Sequence, residues 1–232
     1  MEIHKPKPWH SLREFLKEYA IIVMGVLTAL AGEQTVEWAH WRHEVRETEE
    51  ALRHEIGHNI GALEYRVSQN DCVDQRMDEL ERWRHGWAAG GKPQLTGPIG
   101  SVVAFTLFTD GWEVAESGQV AAHIPLERRM EYAKLYASIR SIKAKNDQES
   151  ANWRSIQDFD GNPTLDAQSM MKLRGMINYF KYYDFSVAAG NLPSLKKRAA
   201  ALGIASEPVD KAATAALDES RAALCKSIFP KA

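Results

Sequence analysis

Cysteine is nearly absent from this chain. Only Cys72 and Cys225 occur among 232 residues, separated by most of the sequence. That spacing fits neither a zinc knuckle nor a CxxC redox pair, which leaves one long-range disulfide or two buried thiols. An excess of one charge is also missing. The formal net charge is -2 with both signs interspersed, so no basic field exists for nucleic acid and no such partner is expected. Long apolar runs are scarce. There is one, and a hydrophobic content of 44% argues against several membrane spans and against disorder. No internal repeat and no low-complexity tract stands out. Ser117-Gly118 lacks the GxSxG context of a hydrolase, and His4, His10, His40, His43, His85 and His123 form no ligand spacing. The length suffices for one domain with a real core, or for a smaller domain plus a membrane anchor.

Tryptophan is plentiful, with seven residues. Trp9, Trp38 and Trp41 flank the single apolar run, where interfacial aromatics belong. Residues 1–10 carry two X-Pro steps, Lys5-Pro6 and Lys7-Pro8, and are expected to be extended and frayed. Ser11 is placed as an N-cap, with Glu14 as its capping-box partner. The uncharged run, residues 19–32, is about 14 residues long, short of the roughly 20 a span needs. Three readings compete. A secretory signal peptide has basic residues in front, a short apolar core and Ala29-Leu30-Ala31 as a cleavage site. A buried soluble helix is the second. A membrane helix is the third. It works if Leu12, Phe15 and Leu16 enter at one end and Val36 and Trp38 at the other, with Lys17, Glu18 and Glu33 snorkelling or facing a partner. The span is the reading adopted, because the helical pattern does not break after Ala31. Lys5, Lys7, Arg13 and Lys17 precede it, which puts that end in the cytoplasm and the rest outside. Arg42 and Arg46 weigh the other way, among Glu37, Glu44 and Glu47. Gly25-x-x-x-Ala29 offers a small-residue face on which another membrane helix could pack closely.

Beyond the run, Val45, Leu52, Ile56, Ile60, Leu63 and Val67 fall on one helical stripe, so the first helix is expected to continue to about Arg66. A second helix is read over 71–86, with Val73, Met77, Leu80 and either Trp83 or Trp87 on one face, and a Gly/Pro-rich loop over 88–100. Residues 101–108 form a short apolar run, read as a buried helix because no partner strand is visible. Gly111 and Gly118 bracket a short segment holding Trp112. Ile124-Pro125 opens a helix to about Phe159, followed by a turn at Asp160-Gly161-Asn162-Pro163. Thr164 is placed as the cap of a helix that Gly190-Asn191 ends. Its cluster Tyr179, Phe180, Tyr182, Tyr183 and Phe185 is read as bundle core. A short helix over 193–202, stopped by Gly203, and an Ala-rich helix over 208–229 complete the chain. The expected class is all-α: one N-terminal transmembrane helix continuing into a long helix that packs in a periplasmic helical bundle. The expected segments are a flexible 1–10, a transmembrane helix at 11–38 and a helical domain at 39–232.

One stretch carries the letters of a chemistry. His54-Glu55-Ile56-Gly57-His58 is HExxH. On a helix both histidines lie one turn apart and can bind one zinc ion, with Glu55 as general base on the bound water. The continuation through Gly61 to Glu64 resembles the metzincin metalloprotease pattern HExxHxxGxxH, with Glu64 in place of the third His. Four features count against catalysis. Too little chain precedes the motif to supply the substrate-binding strand. His54 and His58 point away from the apolar stripe, so a zinc ion there would lack a dry cavity. The stripe runs through Gly61 to Leu63 and Val67 without the break that folds a third ligand back. Met170-Met171 and Met176 lie in a helix and make no Met-turn. The pair is therefore read as exposed histidines that pick up metal incidentally. Asp158, Asp160 and Asn162 resemble the start of a calcium loop, but the Gly and Glu spacing fails and a helix-ending turn is preferred.

A wider resemblance covers most of the chain. Glu18, Gly25-Val26-Leu27, Ala29-Leu30, Trp38 and Leu52 match the outline of a family of uncharacterised bacterial single-span membrane proteins: a short basic segment, an apolar run, Trp and a charged helix. The stretch from Ser117 through Ile139 and the placement of the two Cys are similar to such proteins as well. The resemblance implies an inner-membrane anchor and a periplasmic domain, and no known activity. The expected function is that of a structural or interaction protein, an accessory subunit of a membrane assembly without a cofactor. The alternative is a zinc peptidase using His54, Glu55 and His58, with Glu64 as a further ligand. Expected partners are the lipid bilayer and either another membrane protein or a second copy through the membrane helix. If the basic end is cytoplasmic, both Cys lie where thiols oxidise, and Cys72 is expected to pair with Cys225.

Overall fold

The computed structural model describes residues 12–103, 106–161, 164–210, 218–219 and 221–229. The extended start at 1–10, the Ser11 cap, the flanking Trp9, the basic Lys5 and Lys7, Asn162-Pro163 and most of the stretch 211–220 lie outside these. Every described element is helical. The chain divides into two units, Met1–Glu47 and Thr48–Ala232, and α1 (Leu12–Val67) belongs to both. No proline interrupts α1. Glu14 sits in its first turn and Arg66 in its last, each complementing the helix dipole.

In the first unit α1 contains the one candidate span among the described residues. Its 18-residue apolar window has a mean hydropathy of 1.6 and none of it is buried, which sets aside the buried-core reading of this run. The hydroxyls inside it are satisfied locally. Thr28 Oγ1 donates to Met24 O and Thr35 Oγ1 to Ala31 O, both at 2.7 Å. A polar group that closes its bond within the helix is tolerable in an apolar surround.

In the second unit the predicted stripe of α1 is inside: Leu52, Ile56, Ile60 and Leu63 are buried. So are Gly57, Asn59, Gly61, Ala62 and Arg66, so this stretch is covered well beyond one stripe. Around it are α2 (Asn70–Ala88), α3 (Asp110–Ser117), α4 (Val120–His123), α5 (Leu126–Gln157), α6 (Ala167–Phe185), a π-helical turn (Ser186–Asn191) and α7 (Leu192–Ala201). Helix α6 packs on α2 and α5, while α3 and α7 pack on α5. Val73, Met77, Leu80 and Trp83 of α2 meet Trp153 and Ile156 of α5 and Leu173 and Phe180 of α6 in one hydrophobic cluster. Trp112 stacks on Tyr132 and Tyr136 of α5, at 6.2 and 5.7 Å between ring centroids. Gly203, at φ +69°, follows α7 in the left-handed region that glycine favours.

Several expectations are corrected. Residues 101–103 and 106–108 are not helical. Buried amides of α1 and of the turn that follows it bind their backbone instead. Asn59 Nδ2 donates to Phe108 O (2.7 Å) and Asn59 Oδ1 accepts from Phe108 N (2.8 Å). Gln69 does the same with Val103, at 3.1 Å for both bonds. A side-chain amide thus stands in for a partner strand, which removes the need for a helix. Asn59→Leu leaves a backbone N–H and C=O without partners, at about 1–3 kcal/mol. Urea unfolding should register this as a lower midpoint, and an unchanged midpoint would refute the clamp. The cap of α6 is Asp166, whose side chain accepts from Ser169 N, not Thr164. Gly190-Asn191 does not end the helix, which passes through the π-helical turn into α7. Residues 204–210 are not helical, and the last helical stretch ends at Cys225. Phe180 and Tyr183 are core, but Tyr182 and Phe185 are 67% and 72% exposed.

Candidate functional site

The HExxH residues lie on the covered part of α1, and each has its own neighbour. His54 is exposed, with Nδ1 2.7 Å from Glu207 Oε2. Glu55 is half-buried and its Oε2 accepts from Gly111 N at 3.1 Å. Burial, reinforced by Glu55, pushes the Tyr136 phenol well above its ordinary range. His58 is half-buried with its ring tilted on Phe108, 5.4 Å between centroids. That corrects the expectation of two exposed histidines, and the Asn59 clamp is the reason: it holds the backbone of Phe108 against α1. Glu64 pairs with Lys196 and accepts from Ser206 Oγ at 2.5 Å. Burial pushes its carboxyl up, but Lys196 and Ser206 outweigh burial and hold it below its usual value. Among the described residues no three His, Cys, Asp or Glu side chains are arranged to hold a metal. Glu64 is engaged with Lys196 and Ser206, and His54 and His58 have different neighbours. The calcium-like residues are likewise structural. Asp160 Oδ1 accepts from Ile99 N at 2.8 Å, and Asp158 faces Lys172 at 3.9 Å. Asn162 is outside the described residues.

The glycines of the motif explain themselves through a segment far away in sequence. Residues 203–208 cross α1 at Gly57 and Gly61. Glu207 N donates to Gly57 O at 3.0 Å. A Cβ on Gly57 would come within 2.9 Å of Ala205 O, and one on Gly61 within 1.7 Å of Glu207 O. This is a small-residue seat for an extended strap, fastened by Glu207 to His54 and by Ser206 to Glu64. The signal was legible in part. Glycines one turn apart on a helix face announce close approach, but not what approaches.

The second cluster is the C-terminal clasp. Cys72 and Cys225 are brought to disulfide distance, with Cα atoms 4.7 Å apart. One turn along α2 the buried Arg76 gathers backbone carbonyls. Nη2 donates to Leu224 O (2.8 Å) and Lys226 O (2.6 Å), and Nη1 to Pro98 O (3.2 Å). Burial lowers the Arg76 pKa, against the attraction of Glu79 and Asp160. Leu224 and Ile228 complete the core beneath.

The third cluster was missed in the sequence. Arg66 of α1, Glu149 of α5 and Asp184 of α6 are all buried together. Its signal was Glu149, which shares the helical phase of the apolar Ile142 and Ile156.

No family model, no curated protein and no solved structure matches this chain. Its function has to be read from these residues alone. The described surface depressions are open, such as those lined by Ser138, Ser141 and Asn191 and by Gln148, Asn152 and Tyr179. Gly25 and Ala29 lie on the exposed surface of α1, and nothing stands within 4 Å of a Cβ placed on Gly25.

Proposed function

We propose that this is a membrane-anchored interaction protein. One helix lies in a bacterial inner membrane with its basic end cytoplasmic, and the helical domain in the periplasm serves as an accessory subunit of a membrane assembly. The resemblance to single-span inner-membrane proteins belongs to this proposal. The observation that carries it is the uncovered apolar surface of α1, where Ile21, Ile22, Met24, Val26, Leu27 and Leu30 are all exposed. Apolar area left in water forgoes about 25 cal/mol per Å², so a surface of this kind calls for lipid or a partner helix. The approach of Cys72 to Cys225 supports an oxidising compartment. Gly25 and Ala29 are the proposed seat of a partner membrane helix or a second copy. A zinc peptidase is not the reading the geometry favours.

Fractionation of cells carrying the full chain is the test. The protein should stay with membranes through an alkaline wash, leave them in detergent, and lose its domain to protease added outside intact spheroplasts. Recovery as a soluble species cleaved after Ala31 would reject the anchor. In mild detergent Gly25→Leu should reduce the size of the native complex. Stoichiometric zinc that disappears in His58→Ala, together with peptide cleavage, would overturn the non-catalytic reading.

A further inference from the structure

We propose that Arg66, Glu149 and Asp184 form a buried proton-binding site that makes the helical domain responsive to pH. This goes beyond the anchoring role and does not depend on it. Helices α1, α5 and α6 bring one base and two acids together, nearly excluded from water. Arg66 Nε reaches both oxygens of Glu149, at 3.0 and 3.1 Å. Arg66 Nη2 bonds Glu149 Oε1 and also Asp184 Oδ1, the latter at 2.6 Å. Arg66 Nη1 donates to Asn70 Oδ1 of α2 at 2.8 Å. One guanidinium balances one carboxylate, and a second buried negative charge is left over.

The hydrogen bonds identify which acid that is. Glu149 accepts from two nitrogens of Arg66 and from Trp153 Nε1 at 3.3 Å. Asp184 holds a single arm through Oδ1, and its buried Oδ2 has no hydrogen-bond partner among the described residues. Asp74 of α2 adds a further negative charge, and Tyr179 and Tyr183 of α6 offer only phenols. An unbalanced buried carboxylate is strongly disfavoured, and a proton on Asp184 removes the charge. In keeping with this, burial pushes the Asp184 carboxyl up to about 7, opposed by Arg66 and assisted by Glu149 and Asp74.

The position gives the proton a consequence. Asp184 lies in the last turn of α6, directly before the π-helical turn that leads into α7. Such turns are rare and recur at functional sites. Lys196 and Arg198 of α7 in turn bind Glu64 of α1 and Glu131 of α5. A charge on Asp184 therefore loosens the joint that carries α7, and a proton tightens it. The folded-state pKa lies above the unfolded value of about 3.9. The stabilisation is complete below about pH 4 and is lost progressively as pH rises to about 7.

The full chain in mild detergent provides the test. Infrared spectra should show a protonated-carboxyl band at pH 5 that is gone by pH 8 and is missing in Asp184→Asn. Wild-type Tm should fall by roughly 5 °C more than that of Asp184→Asn over the same interval. Amide exchange across residues 185–201, corrected for its intrinsic pH dependence, should rise in the wild type alone. A folded wild type without the band overturns the proposal, whether or not Asp184→Asn folds. Parallel stability curves for the two proteins, or exchange that does not respond, overturn it as well.

Discussion

Separating Cys72 from Cys225 is expected to lower stability by about 5 kcal/mol, the chain-entropy value for a loop of this size. The two residues are 153 apart in sequence, so a link closes most of the second unit into one loop and restricts its unfolded ensemble. For a domain of this size that corresponds to a Tm lower by roughly 10 °C or more. The folded structure around the link should survive. Arg76 still holds Leu224 O and Lys226 O, and Leu224 and Ile228 still fill the core. Reduced wild type and Cys72→Ser/Cys225→Ser should therefore melt together, well below the oxidised protein, with the same helical spectrum at low temperature. Oxidised and reduced protein that melt alike would remove the link from the account, as would two free thiols titrated in denaturant without reductant.

Gly61→Ala is expected to destabilise the second unit by about 2–4 kcal/mol, although the same change in an open helix stabilises by about 1 kcal/mol. The sign reverses because the new methyl would sit 1.7 Å from Glu207 O, which forces the strap off α1. The bond from Glu207 N to Gly57 O goes with it, and the hold of Ser206 and Glu207 on Glu64 and His54 is put at risk. Gly175→Ala is the control. It lies within α6, and nothing stands within 4 Å of its Cβ position, so it should gain a few tenths to about 1 kcal/mol. Urea unfolding of both variants decides the matter. Equal effects would mean that the strap does not press on α1.

The outcome bears on the zinc-like letters as well. The letters HExxHxxGxxE take part in packing here: Gly57 and Gly61 seat a strap, His54 and Glu64 fasten it, and Glu55 binds the start of α3. A pattern of letters specifies zinc chemistry only if its side chains converge on one point. Here they are drawn to Glu207, Gly111, Phe108 and Lys196.

What the sequence determined by itself was local in origin. The 3.6-residue period of Leu52, Ile56, Ile60 and Leu63, the absence of proline through α1, the Pro125 start and the Gly203 stop specify helices through forces that act within a few residues. The pairing of Cys72 with Cys225 was also within reach, since no third cysteine competes. Tertiary structure alone decided the rest, because the deciding partners are far apart in the chain. Residues 101–103 and 106–108 are not helical and are held by amides of Asn59 on α1 and Gln69 just after it. Gly57 and Gly61 acquired their meaning from residues 205–207. Tyr182 and Phe185, aromatic like Phe180 and Tyr183, face outward because α2 and α5 cover only one side of α6. Arg66, Glu149 and Asp184 became one site only when three helices closed around them. Periodicity shows which face of a helix is buried, but a buried charge is defined by what stands opposite it, and that is set by the fold.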